Sequence, residues 1–150
     1  MNLKDPFPRG RVAFFVTSNV HKFMEARPVL AEYGIATALL RFKTLEIQDE
    51  NIENIAKTSA VEASRKCNLP VLVEDAGLFI ETLNGFPGPY SNYVYQTIGI
   101  RGTLKLMRDA DKRDARFRSV VAFCDTDRST KIFHGEAAGK IAEEERGSFG

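Results

Sequence analysis

Val12-Ala13-Phe14-Phe15-Val16 is an unbroken apolar run, β-branched and aromatic, set between Arg11 and the polar Thr17-Ser18-Asn19. Such a run predicts a strand buried on both faces, as in a sheet covered by helices. The period then changes. Phe23, Arg27, Leu30 and Gly34 follow at helical spacing, with Asn19 as N-cap and Gly34 as C-cap. Pro28 falls inside this pattern, where its ring and missing N–H predict a kink. Residues 36–42 read as a second strand and 43–50 as a polar connection. From Asn51 onward, Ile52, Ile55, Ala56, Ala60, Ala63 and Cys67 share one helical face, closed by Leu69 and Pro70. Val71-Leu72-Val73 predicts a short third strand ending in Glu74-Asp75-Ala76-Gly77, and residues 78–80 either continue it or begin a partner strand.

Asn84-Gly85-Phe86-Pro87-Gly88-Pro89-Tyr90, with two prolines and two glycines, predicts a loop. Helices are expected over 91–97 and 102–109, then a charged turn over 109–114. Residues 116–124 alternate as a strand, with Phe117, Ser119, Val121 and Phe123 on one side, and 131–139 read as its hairpin partner. There is no internal repeat. The predicted fold class is α/β, a mixed central sheet flanked by helices, forming one domain over 1–150. Residues 1–10, with two prolines and a glycine, read as a loose lead-in. The last eight residues, Glu143-Glu144-Glu145-Arg146-Gly147-Ser148-Phe149-Gly150, carry no closing helix or strand, and the expectation is a domain truncated at its C-terminus.

Composition narrows the function classes. The chain has 150 residues, 43% apolar and 27% charged, which is ordinary for one globular domain and argues against disorder or a coiled coil. Lys plus Arg number 21 against 20 Asp plus Glu, a net charge of +1. A nucleic-acid clamp driven by counterion release needs a larger basic excess, so no nucleic-acid partner is expected. A local basic pocket for a small anion stays open. Cys67 and Cys124 form no disulfide framework and no zinc knuckle, and read as small core residues in a reducing compartment. No apolar run reaches the roughly eighteen residues of a membrane span, and the N-terminus lacks the apolar core of a signal peptide. The expected compartment is the cytoplasm.

Candidate chemistry concentrates at two strand ends. Thr17-Ser18-Asn19-Val20-His21-Lys22 joins a strand to a helix start, the place where ligands bind in open α/β sheets. Unsatisfied first-turn N–H groups, short polar side chains and the Lys22 charge suit a phosphate, although GxxxxGK[ST] is lacking. Glu74 and Asp75 follow an apolar strand, where carboxylates are costly unless paired or bound to a cation. Such hard oxygen donors suit Mg²⁺, and Glu46 could approach from the connection after the second strand. A solvated turn is the bland alternative. His21 and His134 stand in no zinc motif, and neither GxSxG nor a reactive cysteine context is present. Activated water is the remaining nucleophile.

Together these segments resemble the inosine/xanthosine triphosphate pyrophosphatase family. Phe15-Val16-Thr17-Ser18-Asn19-Val20-His21-Lys22 is similar to the family's opening strand and T/S-x-N-x-x-K loop. Glu74-Asp75-Ala76-Gly77-Leu78 is similar to its acid-Asp-Ser-Gly-Leu motif. Asn84-Gly85-Phe86-Pro87-Gly88-Pro89-Tyr90-Ser91 is similar to its Gly-x-Pro-Gly-x-Tyr-Ser loop. Each motif alone is weak, but all three stand in register. The resemblance implies attack of water on the α-phosphorus of non-standard purine triphosphates (ITP, XTP, dITP), giving nucleoside monophosphate and pyrophosphate with Mg²⁺ as cofactor. It assigns Asp75 as general base and metal ligand, Glu46 as metal ligand and Glu74 as metal support. It gives Thr17, Ser18, Asn19, Val20, His21 and Lys22 to the triphosphate, with Ala76 beside it. It also implies a homodimer, with Tyr90, Tyr93 and Tyr95 at the interface.

Three departures qualify the match. Ala76 stands where the family has Ser, which removes a hydroxyl worth about 1 kcal/mol if it caps a turn or touches a phosphate. Glu62 stands where many bacterial relatives carry Lys. The chain ends before the family's Phe-Gly-Tyr-Asp and Ser-His-Arg segments, which supply much of its base recognition. The sequence therefore supports two expectations: a nucleoside triphosphate pyrophosphohydrolase, or a catalytically weak nucleotide-binding and dimerisation module.

Overall fold

In the computed structural model, whose described residues are 11–45 and 47–147, the first apolar run is strand β1 (Arg11–Val16). Helix α1 (Val20–Glu32) follows and runs through Pro28, with Asn19 as N-cap and Tyr33 as C-cap. Gly34, at φ +69°, takes the left-handed position one residue beyond that cap. Strand β2 is Ile35–Leu40 and helix α2 is Ile52–Cys67. Asn51 caps α2 by accepting the Glu53 N–H, and Asn68 ends it in the left-handed region. The described residues of the polar connection between them, 43–45 and 47–50, form neither helix nor strand, as expected. Residues 1–10, read as a lead-in, lie outside the described residues.

Strand β3 (Val71–Ile80) departs from the sequence reading. The strand is ten residues long: residues 78–80 continue it, one of the two readings left open, and Glu74, Asp75, Ala76 and Gly77 lie within it rather than beyond its end. A short 3₁₀ turn (Glu81–Leu83) leads to β4, the two residues Pro87–Gly88, so the Pro/Gly loop also contributes a pairing to the sheet. Helices α3 (Ser91–Thr97) and α4 (Gly99–Leu106) precede the hairpin of β5 (Asp114–Cys124) and β6 (Thr130–Lys140).

The sheet order is β2-β1-β3-β5-β6, with β4 paired to β3. β1 runs parallel to β2 and β3, while β5 runs antiparallel to its two neighbours β3 and β6, so the sheet is mixed. β1 meets β3 over only Phe14↔Val71 and Phe15↔Leu72, whereas β5 follows β3 from Val71↔Cys124 to Ile80↔Ala115. Beyond Leu72, then, β3 projects past its pairing with β1.

Strand alternation gives the sheet two apolar faces. One packs on α2: Val16, Val71, Val73, Val120, Ala122 and Cys124 meet Ile52, Ala56, Ala60 and Ala63. Burying valines such as Val71 and Val120 contributes about 1.5–3 kcal/mol each relative to exposure. The other face packs on α1: Ala13, Phe15 and Leu72 meet Phe23 and Leu30, with Val121 and Phe123 alongside. The side of β5 singled out by its alternation is therefore the less buried one. A third cluster, Ile80, Met107 and Ala115, joins α4 to the far end of β3. There the Arg113 guanidinium donates to the carbonyls of Met107, Ile141 and Ala142, each at 2.8 Å.

Candidate active site

β1 lies between β2 and β3, and its two helical connections cover opposite faces: α1 leads on to β2, and α2 leads back to β3. A cleft opens at such a reversal, beyond the carboxyl ends of the strands. The loop after β1 stands at that reversal, and Lys22 on the first turn of α1 reaches Glu74 on the projecting half of β3.

The loop is shaped by its own side chains. The Thr17 N–H donates to the Leu40 carbonyl at 3.2 Å. The Thr17 hydroxyl oxygen accepts the Asn19 N–H at 3.0 Å, and Asn19 Oδ1 accepts the N–H groups of His21 (3.0 Å) and Lys22 (3.4 Å). Thr17 and Asn19, anticipated as donors to a phosphate, thus serve first as acceptors that set the turn. Ser18, Val20 and His21 are exposed around the helix start, where the positive end of the helix dipole favours an anion.

Lys22 turns toward β3. Its Nζ lies 2.6 Å from Glu74 Oε2, and the Ser119 hydroxyl donates to Glu74 Oε1 at 2.7 Å. The Glu74 side chain is only 14% exposed, so its charge depends on those two partners. Asp75 belongs to the opposite face. Adjacent strand residues alternate, and Asp75 stands in register with Val120, which in turn pairs with His134 on β6. Asp75 is half-buried and engaged in an interaction of its own. Val120 lines a hollow of about 330 Å³ at the start of α2, together with Asn51, Ile52, Arg118, His134 and Glu136. His134 Nε2 lies 3.3 Å from Glu53 on α2. A larger hollow, about 660 Å³, is lined beside α4 by Arg101, Lys105, Arg108 and Arg113, none of them a site residue expected from the sequence.

The acidic pair is therefore divided between two faces. Glu74 joins Lys22 on the α1 side, and Asp75 stands on the α2 side. Glu46, the third carboxylate named for a metal, lies outside the described residues, and among the described residues no group of three His, Cys, Asp or Glu side chains converges on a metal position. Asp75 supplies a hard oxygen donor of the kind Mg²⁺ takes, and one or two carboxylates suffice for that ion when substrate phosphates and water complete it. Both Glu74 oxygens are already engaged.

The chain just before Glu46 is strapped to α2. The Leu45 N–H donates to the Glu62 carboxylate, the Ser59 hydroxyl donates to the Leu45 carbonyl at 3.2 Å, and Lys66 Nζ donates to the Lys43 carbonyl at 2.9 Å. Lys66 also sits 2.7 Å from Glu62 and, with the Leu45 amide, holds the Glu62 carboxyl below its ordinary range. Glu62, a departure by sequence, thus has a definite bonding role. On the other side of β3, the Leu78 N–H donates to Ser91 Oγ at 2.7 Å, and Ser91 donates to the Gly88 carbonyl at 2.5 Å. A Cβ at residue 77 would stand 2.5 Å from that same carbonyl oxygen, so only glycine allows the loop this close. Tyr90, Tyr93 and Tyr95 are 41%, 68% and 52% exposed.

Ser119 and Glu62 were not read as site residues. For Ser119 a signal existed: it is the one hydroxyl in a side otherwise made of Phe117, Val121 and Phe123.

The structure thus has an open, mixed α/β sheet, with an N-capped helix and a lysine at the end of β1 and an acidic pair divided between the two faces of β3. The chain belongs to the Ham1 family, which it matches over residues 13–150. It is 46% identical over 136 residues to the dITP/XTP pyrophosphatase of Methanopyrus kandleri, covering 91% of this chain and 72% of that protein. The dITP/XTP pyrophosphatase of Ignicoccus hospitalis is 45% identical over 142 residues, covering 94% of this chain and 76% of its own length. Among solved structures, a HAM1 protein from Coxiella burnetii superposes with a TM-score of 0.78 at 26% identity, over 93% of this chain and 77% of that one. The expected α/β class and the family resemblance both stand.

Proposed function

We propose that the protein is a nucleoside triphosphate pyrophosphohydrolase that converts non-canonical purine nucleoside triphosphates (XTP, ITP and dITP) to nucleoside monophosphate and pyrophosphate with Mg²⁺. The observation that carries this reading is the meeting of the α1 start and Lys22 with β3, the strand that bears Asp75. Relatives at 46% and 45% identity, named dITP/XTP pyrophosphatases, supply the purine specificity.

In this reading the α1 N-terminus and the Lys22 ammonium take the negative charge of the triphosphate, and the residues 17–19 turn keeps them aimed at it. Asp75 accepts a proton from the attacking water. The water oxygen bonds to the α-phosphorus, the bond from that phosphorus to the α–β bridging oxygen breaks, and pyrophosphate leaves with its electron pair. Asp75 and Glu46 would hold Mg²⁺, which would supply charge neutralisation for the triphosphate. Glu74 supports the site through Lys22. A homodimer joined through residues 86–95 belongs to the same reading, supported by the exposed tyrosines there.

The test is to incubate the purified chain and Mg²⁺ with ITP, XTP, dITP, ATP and GTP in turn, assaying pyrophosphate and free phosphate side by side. Pyrophosphate should form from ITP, XTP and dITP at least about tenfold faster than from ATP or GTP. Free phosphate without pyrophosphate would overturn the assigned bond cleavage, and silence with all five would overturn the activity.

A further inference from the structure

Ser119 sits on β5, two strands away from the loop that meets the phosphates, and neither motif nor family resemblance gave it a role. On the α1 face of the sheet it stands directly opposite Ala76, whose methyl offers no acceptor, and diagonal to Glu74. Its hydroxyl reaches Glu74 Oε1 at 2.7 Å, while the other oxygen of that carboxylate holds Lys22 Nζ at 2.6 Å. A continuous relay therefore runs Ser119–Glu74–Lys22, from the interior of the sheet to the first turn of α1.

Lysine has a long, flexible stem and a compact charge with three donor hydrogens. A free lysine at this position would have to be ordered each time a phosphate binds, and that ordering weakens binding. Glu74 holds the ammonium with one contact and leaves its other hydrogens for a ligand. Ser119 in turn fixes the carboxylate, which otherwise could rotate about its own side chain. We propose that Ser119 is a positioning residue for the triphosphate, acting through Glu74 on Lys22. The inference rests on the function proposed above and adds to it a residue that touches neither the substrate nor the reacting atoms.

The test pairs Ser119→Val with Ser119→Thr, side chains of equal shape that differ by the hydroxyl, and Ser119→Ala carries the same expectation as valine should Val fail to fold. Calorimetry with inorganic tripolyphosphate in EDTA reads binding without turnover, and dITP kinetics with Mg²⁺ separate KM from kcat. Val should weaken tripolyphosphate binding and raise KM by about three- to tenfold, the worth of one hydrogen bond, with kcat kept within about twofold. Thr should restore both. In a Lys22→Ala background Val should change nothing further, since a relay has no effect without its end; a merely structural serine would add its full cost. Normal binding by Val, or full additivity with Lys22→Ala, overturns the inference alone. Wild-type protein that neither binds tripolyphosphate nor hydrolyses any triphosphate overturns the proposed function, and this inference falls with it.

Discussion

The two helices that cover the sheet are built to different standards. α2 buries Ile52, Ala56, Ser59, Ala60, Ala63 and Ser64, while α1 buries none of its residues and leaves Met24 and Val29 more than half exposed. The difference is written in side-chain size. A stripe of alanines lets α2 approach the sheet closely, whereas α1 touches it mainly through Phe23 and Leu30. Glu74 and Asp75 divide along the same line, the first toward the loosely covered face that α1 and Lys22 share, the second toward the tightly packed one. In the proposed function, charge binding falls where the chain has few buried contacts to lose, and the general base falls on the face packed against α2.

The sharpest way to test that division is Asp75→Asn. It should lower kcat by about 10²–10⁴-fold, the usual worth of a general base, while tripolyphosphate binding in EDTA persists. Loss of both together would show that the two faces do not separate binding from chemistry. Next in size is packing. Ala60→Leu, at a fully buried position, should cost about 1–3 kcal/mol by overfilling the α2 interface, whereas Met24→Ala, 57% exposed on α1, should stay within about 0.5 kcal/mol. Thermal unfolding of the two variants checks this, and equal shifts would erase the contrast.

The smallest effect concerns the charged surface on the outer strands. Arg116 and then Arg118 hold the Glu136 carboxyl below its ordinary value of 4.5, with contacts of 2.8 and 2.9 Å. A carboxyl depressed in the folded state stabilises above its unfolded value and loses that contribution as pH falls through the folded one. Wild-type Tm should therefore drop more than that of Glu136→Gln as acid is added below about pH 4.5. Parallel acid limbs in the two melting profiles would remove Glu136 from the balance.

Much of this was legible in the chain. β1 and α2 fall where apolar runs and helical spacing put them, because both elements bury a continuous local pattern. The start of α1 was legible as well, since Asn19 caps it through neighbours two and three residues away. β3 was cut short at Glu74, as periodicity sees charges ending a strand but cannot see Lys22 and Ser119 arriving from 52 and 45 residues away to support them. The fourth helix begins at Gly99, three residues before its predicted start. Gly102 looked like a helix boundary, yet it lies inside α4 because the Ile98 side chain fills the space its own Cβ would need. The opposite facing of Glu74 and Asp75 needed only their common strand, and was hidden as long as they were read as a turn.

That strand also has an uneven freedom to change. At residue 76 a methyl already replaces the hydroxyl of the resembling family, beside a partner that tolerates it. One residue on, any side chain at all would drive its first carbon to 2.5 Å from the Gly88 carbonyl, and backbone cannot swing aside as a side chain can. The loop from Gly85 to Ser91 is thus fastened to the acidic strand by a missing atom. Sequence drift can thus change residue 76, while 77 stays closed to every other amino acid for as long as the loop keeps its seat.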